Sequence, residues 1–243
     1  MRKSLQLIAL AAMSFAIVSC SDVSLDNSDT ALNSLNKSSR VESKDRGCAS
    51  MDVLEENMKE DPSLKNKMDD IEKHTKDFEK KMKGSRVGAT GVLVIPVVVN
   101  VLYGNANENI SDAQIQSQID VLNKDFSATN TDIGLVPSAF TSAVSNLEYQ
   151  FVLSSIVRKA GNKPSGWGTR DAMKSSKKGG INPTSPTTTL NIWVCNIGGG
   201  ILGYAQFPGG SSATDGVVVG PQYFGNTGFV SAPYDKGRTA THE

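Results

Sequence analysis

The pattern of apolar and polar positions separates a polar stretch, residues 21–90, from residues 91–230, which hold enough apolar side chains for one modest core. The clearest helix signal lies in the second part. Its apolar residues recur at the spacing of one helix face: Ile115, Ile119, Leu122 and Phe126. Ser111 and Gln114 have the spacing of a capping box. The pattern therefore predicts a helix that begins after Ser111 and lies on a sheet.

Strand signals surround this helix. Residues 92–103 form a β-branched run around Pro96, which favours a strand in which the proline needs no ladder hydrogen bond. Four further strands are predicted at residues 148–157, 190–197, 202–207 and 215–219. We expect the first two of these to be antiparallel or mixed rather than buried and parallel.

Residues 46–86 are helical and highly charged in character. Ser50 is positioned to cap a short helix, and Asp61 followed by Pro62 predicts the start of a second. The second helix carries one narrow apolar stripe: Leu64, Met68, Ile71, Thr75, Phe78 and Met82. A stripe of this kind suits a coiled-coil-like partner helix, and an exported protein also uses such a segment as a propeptide. Both interpretations stay open here.

The chain begins with an export signal. Residues 1–19 have a basic start and an apolar run too short to span a bilayer, which is typical of a secretory signal peptide. Cys20 ends a bacterial lipoprotein cleavage box, so we expect it to be acylated and to anchor the protein to the outer membrane or cell surface. We expect residues 20–45 to form a flexible tether.

Residues 84–91 lack apolar periodicity and predict a linker, with Arg86 as the site of proteolytic removal of the extension. We therefore divide the chain into a signal peptide, a tether, a helical propeptide over 46–86 and a catalytic part over 87–243. Lys+Arg and Asp+Glu number 25 each, so the charge balance excludes nucleic acid as an expected partner.

The candidate chemistry lies at His242 and Glu243, the first two residues of the H-E-x-x-H zinc signature. A pair of residues alone is a weak signal, so its weight comes from the stretches before it: residues 95–103, 115–126, 190–195, 202–208, 215–219 and 237–243. In this order and spacing they resemble the pappalysin and cytophagalysin family of metzincin zinc endopeptidases.

The resemblance implies an α/β zincin-like N-terminal subdomain with a mixed twisted sheet and a backing helix. It implies His242 as the first zinc ligand and Glu243 as the general base on a zinc-bound water, acting on a peptide substrate. We expect the active-site helix and the C-terminal subdomain to be missing, which would leave the sheet face with Ile192 and Val194 open. The other histidine, His74, reads as a surface residue.

A zinc site needs three protein ligands and a water, so we expect this chain alone to be inactive. The alternative is a surface lipoprotein that uses a half-domain inherited from a metalloprotease for binding, without catalysis. A third interpretation makes the charged helix itself the functional interaction element.

Three single residues and one short segment each have a functional interpretation and an ordinary structural one. Cys48 resembles a propeptide cysteine that binds catalytic zinc; it also reads as a spare thiol or as a disulfide partner of Cys195. The resemblance implies that Cys195 pairs with a cysteine beyond residue 243. Residues 204–207, Tyr204, Ala205, Gln206 and Phe207, suit a substrate-binding edge strand or ordinary packing. Asp215 suits a turn or a calcium loop.

Overall fold

The computed structural model describes residues 47–82, 91–161, 163 and 165–243. The predicted signal peptide, the lipidation site Cys20, the tether and the cleavage site Arg86 lie outside these residues. The described part begins with α1 (Ser50–Glu60) and α2 (Ser63–Met82). None of its helices is both long and apolar enough to cross a membrane.

Five strands of the described part form one sheet in the order β2-β1-β3-β5-β4. Their bounds are β1 Leu93–Tyr103, β2 Tyr149–Ala160, β3 Leu190–Val194, β4 Gly203–Ala205 and β5 Val217–Val219. Helix α3 (Asp112–Phe126) connects β1 to β2, and the short α4 (Arg238–His242) follows β5. Pro96 lies just before the segment where β1 begins to pair with β3, so its missing N–H removes no bond on that side.

The expectation of antiparallel or mixed pairing for β2 and β3 was wrong. Both strands run parallel to β1, and β5 runs parallel to β3; the antiparallel pair is β4 with β5. The alternation in β3 was misleading because both of its faces are buried. Asn191 and Trp193 bury polar atoms that find backbone partners, at Thr184 and Ile181 respectively.

The sheet has one core on each face, because successive strand residues point to opposite sides. The first core joins Ile192 and Val194 to α3 and to Ala240 of α4. The second core joins Trp193 and Tyr204 to apolar side chains before and within α1. Ile192 and Val194 are 1% and 0% exposed, so the expectation that their face is open was wrong: α3 and α4 cover it.

The helix predictions hold with two corrections. Ser111 caps α3 by accepting a hydrogen bond from the Gln114 N–H (3.1 Å), but the Gln114 side chain does not complete a capping box and is used elsewhere. Ser50 does not cap α1, whose N-cap is Ala49. The stripe on α2 is largely solvated: Leu64 is buried, whereas Phe78 is exposed.

Candidate metal centre

Helix α4 brings His242 and Glu243 to the sheet. The helix starts after Gly237, which adopts a φ of 70° that favours glycine, and the Glu243 N–H donates to the Thr239 carbonyl (3.1 Å). Gln118 of α3 donates to the Gly237 carbonyl (2.9 Å) and accepts from the Gly225 N–H (2.6 Å). One buried side chain therefore fixes the start of α4 and the loop that leads to it.

Cys48 lies beside this pair. Cys48, His242 and Glu243 each offer one ligand atom, and the three atoms lie within 4.8 Å of one another. The Cys48 thiol donates to Glu243 Oε2 (3.2 Å), and the Ser50 hydroxyl donates to the same oxygen (2.8 Å). Two residues that are almost 200 positions away in sequence therefore hold the Glu243 carboxylate.

The segment that carries Cys48, residues 47–50, extends the sheet beyond β4; we call it the docked segment. Cys48 forms a parallel bridge with Gly203, and the Ala49 N–H donates to the Gly203 carbonyl (3.1 Å). The Gly47 carbonyl accepts from Leu202 (2.6 Å) and Gly203 (3.3 Å). The outer edge of β4 is therefore occupied by main-chain hydrogen bonds.

Ser50 completes this pairing with its side chain. Its hydroxyl oxygen accepts a hydrogen bond from the Ala205 N–H (2.8 Å), and the same hydroxyl donates a hydrogen bond to Glu243 Oε2. One side chain therefore contacts both the edge strand and the carboxylate.

Gly203 makes room for Glu243. A Cβ at position 203 would lie 2.9 Å from the Val218 carbonyl oxygen, which is closer than Cβ atoms approach backbone, and 3.1 Å from Glu243 Oε1, which is a tight contact. The glycine is therefore required mainly by the backbone of β5, and it also leaves space for the Glu243 carboxylate.

Burial raises the pKa of the Cys48 thiol; the hydrogen bonds with Ser50 oppose this effect, and the neighbouring Glu243 carboxylate adds a smaller effect in the raising direction. The thiol is therefore protonated at neutral pH and able to donate to Glu243. Glu243 Oε1 is buried and has no hydrogen-bond partner within the described residues.

Zinc fits this set of donors. Thiolate sulfur and imidazole nitrogen are zinc ligands, and a nearby cation would stabilise the buried Glu243 carboxylate, whose Oε1 has no hydrogen-bond partner within the described residues. Binding through Cys48 would require loss of the thiol proton. The set supplies one histidine, because His74 lies on α2, among its exposed residues.

Cys48 and Cys195 are both free thiols, so they do not form the disulfide that was one of the alternatives. Cys195 is fully buried in the second core, on the opposite sheet face from the core that contains α4. Burial strongly raises its pKa, and it is therefore an inert thiol in this structure.

The predicted edge strand is shorter than residues 204–207, because β4 ends at Ala205. Tyr204 points into the second core and donates to Asp171 (3.0 Å), as its packing interpretation requires. Gln206 accepts from the Thr214 hydroxyl (2.6 Å), and Phe207 is half-buried. Asp215 is exposed between β4 and β5 and does not belong to the metal-capable cluster.

Two buried glutamines of α3, Gln114 and Gln118, position these elements, and this role was not predicted from the sequence. Gln114 donates to three backbone carbonyls, those of Pro221, Phe224 and Phe229, and accepts from the Phe229 N–H (2.8 Å). Gln114 and Gln118 lie one helical turn apart among apolar neighbours, and that spacing was the available signal.

The buried ion pair of Lys174 and Asp171 contacts Tyr204 of β4 on the side of the second core. Lys174 is 0% exposed, lies 3.0 Å from Asp171 and donates to the Thr214 carbonyl (2.6 Å). Burial lowers the pKa of Lys174, and Asp171 opposes that effect. An isolated lysine in the sequence gives no indication of such burial.

The fold and the site together define a partial zincin-like fold: a mixed sheet, a backing helix and a short helix that carries His-Glu. No protein-family model and no curated protein matches the chain.

Solved structures do match the chain. Mirolysin in complex with a compound is 44% identical with a TM-score of 0.60, and the match covers 63% of this chain and 62% of that one. Tannerella forsythia mature mirolysin in complex with a cleaved peptide is 44% identical with a TM-score of 0.61 and the same coverage. A point mutant of Tannerella forsythia promirolysin is 39% identical with a TM-score of 0.64, covering 80% of this chain and 66% of that one.

The protein is therefore similar to a metalloprotease, and it spans slightly less than two thirds of the length of these relatives. The match to the pro form covers more of this chain than the matches to mirolysin do.

Proposed function

We propose that this protein is the latent form of a zinc-dependent endopeptidase of pappalysin or cytophagalysin type, in which the docked segment blocks the active site. The observation that carries the proposal is the cluster of Cys48, His242 and Glu243, with ligand atoms within 4.8 Å of one another. Similarity to promirolysin over 80% of the chain supports it.

Each residue has a distinct role in this proposal. Zinc, when bound, supplies a polarised water for attack on a peptide carbonyl. His242 would hold the metal, and Glu243 would take a proton from the water that attacks the peptide carbonyl. Cys48 would hold the metal as a thiolate in the latent form and would leave the site with the docked segment.

The docked segment also blocks the binding of an extended peptide. A peptide that pairs with β4 needs the Gly203 carbonyl and the Ala205 N–H, which Ala49 and Ser50 occupy. Ser50 additionally holds the Glu243 carboxylate, so the general base and the peptide-binding strand are blocked by one residue. The mirolysin complex with a cleaved peptide supports a peptide as the substrate class.

The chain by itself is expected to be inactive. The docked segment occupies the edge of β4, and Cys48 and Ser50 both donate to the Glu243 carboxylate that would act as the base. Purified protein with zinc should leave casein intact. Casein cleavage by this chain would contradict this part of the proposal.

The zinc ligands are tested with cobalt(II), which takes the same ligands as zinc and absorbs light when a thiolate binds it. Full-length apo-protein titrated with cobalt should develop thiolate absorption that Cys48→Ser abolishes and His242→Ala weakens. Cys195→Ser is the matched control, because Cys195 is buried on the other sheet face. An unchanged spectrum in Cys48→Ser would refute the role of Cys48 as a ligand.

A non-catalytic binding lipoprotein derived from a metalloprotease is the second candidate, because the edge of β4 binds the extended residues 47–50 through main-chain hydrogen bonds, an interaction that requires no metal. Peptide binding separates the two. The latent protease should bind an extended peptide only after the docked segment is weakened, by Ser50→Ala for example, whereas a binding module should bind it in the unmodified chain.

Export and lipid anchoring are proposed from residues 1–20 alone. The expected result is incorporation of labelled palmitate into the exported protein, lost in Cys20→Ala. Label that persists in this variant would argue against the anchor.

A further inference from the structure

Helix α4 has five residues, too few to be stable by itself, so tertiary contacts must determine where His242 and Glu243 lie. Asp125, in the last turn of α3, makes several of these tertiary contacts. Its side chain is 7% exposed. The Asp125 carboxylate therefore occupies a buried position between two helices, where a charge needs specific partners.

The partners of Asp125 are at both ends of α4. The Thr241 hydroxyl donates to Asp125 Oδ2 (2.8 Å), and Arg238 Nε forms an ion pair with the same oxygen (3.1 Å). Arg238 is the first residue of α4, and Thr241 directly precedes His242. One carboxylate oxygen thus contacts the start of the helix and the residue next to the candidate metal ligand.

A second carboxylate supports the arrangement. Arg238 also donates to Asp132 Oδ1 (2.7 Å). Asp132 in turn accepts from the Asn130 side chain (2.7 Å). Arg238 is therefore held from two sides, and Asp125 is the member of this network that also contacts Thr241.

We propose that Asp125 is a positioning residue: through Thr241 and Arg238 it sets the place of His242 and Glu243 and thereby the contact between Glu243 and Cys48. The metal part of this inference rests on the proposed function. The contact between α4 and Cys48 does not, because it is a hydrogen bond of the protein itself.

The test follows the path from Asp125 to Cys48. If α4 shifts, Glu243 releases the Cys48 thiol, and the thiol becomes accessible to Ellman's reagent. In the full-length protein, Asp125→Ala and Thr241→Val should each raise the labelling rate of Cys48 about tenfold, the change expected for loss of one charge-assisted hydrogen bond. Thr241→Ser keeps the hydroxyl and should retain the wild-type rate.

Two controls separate positioning from unfolding. Asp120→Asn changes an exposed carboxylate of the same helix, bonded to Gln116, and should leave the rate unchanged. Cys195 is an internal control: mass spectrometry of the labelled protein should find it unmodified as long as the fold is intact. A wild-type Cys48 rate in Asp125→Ala would overturn the inference, as would equal labelling of Cys48 and Cys195.

Cobalt affinity gives the second readout. Residues that orient a metal ligand typically change metal affinity by about 10- to 100-fold, and Asp125→Ala should weaken cobalt binding within that range. If the wild-type protein binds no cobalt, the proposed function fails, while the thiol rates still decide the role of Asp125. Cobalt affinity equal to wild type in Asp125→Ala would overturn the inference.

Discussion

The two faces of the sheet differ in where their cores come from. The core that contains Ile192 is built from β strands, α3, α4 and the loops between them, all within residues 95–240. The core that contains Trp193 also needs Ala49 and Val53, which lie in the N-terminal helical segment. The face that carries α4 is therefore covered by residues 95–240 alone, whereas the opposite face also depends on the segment proposed to be a propeptide.

The largest expected loss of stability comes from a substitution in the core that residues 95–240 form by themselves. Ile119 is 2% exposed in the core between α3 and the sheet. Ile119→Ala should lower the free energy of unfolding by about 2–5 kcal/mol, because it removes buried methyl groups and leaves a cavity. Urea denaturation measures the change. Ile71→Ala on exposed α2 is the control, and a similar loss there would contradict this assignment of the core.

The next effect concerns the polar contacts of the same face. Gln118→Ala would leave the buried Gly237 carbonyl and Gly225 N–H unpaired, at a cost of about 1–3 kcal/mol for each group that finds no water. Urea denaturation should show the loss. Gln116→Ala changes an exposed glutamine of the same helix and should be nearly neutral; equal effects of the two variants would argue against the contacts of Gln118.

A smaller loss of stability is expected in the core to which Ala49 and Val53 contribute, and it should be confined to the N-terminal segment. Val53 of α1 is 4% exposed. Val53→Ala removes the equivalent of two methylene groups and should weaken docking of residues 47–60 by roughly 1.5 kcal/mol. Hydrogen exchange should accelerate in α1 and stay unchanged in α3. Met51→Ala, at an exposed position of α1, is the control; acceleration in both helices would show that the two faces unfold together.

The smallest expected effect is that of a substitution at Ser50, which contacts the edge of β4. Ser50→Ala removes the acceptor for the Ala205 N–H, a hydrogen bond worth about 1 kcal/mol, so that amide should exchange several times faster. Ser50→Thr keeps a hydroxyl and should restore protection. Ser63→Ala, at the exposed start of α2, serves as the control. Unchanged exchange at Ala205 in Ser50→Ala would mean that the docked segment does not depend on this contact.

Prediction from sequence succeeded where a pattern has one local cause. The spacing of Ile115, Ile119 and Leu122 gave α3 and its buried face, and Ser111 gave its cap, because helix geometry brings those positions together. Prediction failed for strand direction. Residue alternation reports which side chains share a face, and it does not report which strand lies alongside or in which direction.

The candidate site was predictable in part for the same reason. His242 and Glu243 were found from a motif and a family resemblance, and Cys48 from its resemblance to a propeptide cysteine. Ser50, Gln118 and Asp125 were not found, because each acts on a partner more than 100 positions away. A polar residue carries no sign of such a partner in its own neighbourhood.

The sequence by itself determined helices α1, α2 and α3, the approximate strands and the residue types available for chemistry, since these depend on local geometry and composition; the short α4 was not predicted. Only the tertiary structure decided that residues 47–50 lie on β4, that Glu243 accepts from Cys48 and Ser50, and that Asp125 holds α4. The physical reason is that these contacts join distant segments, and their free energy becomes available only when both segments are already placed by the cores on the two faces of the sheet.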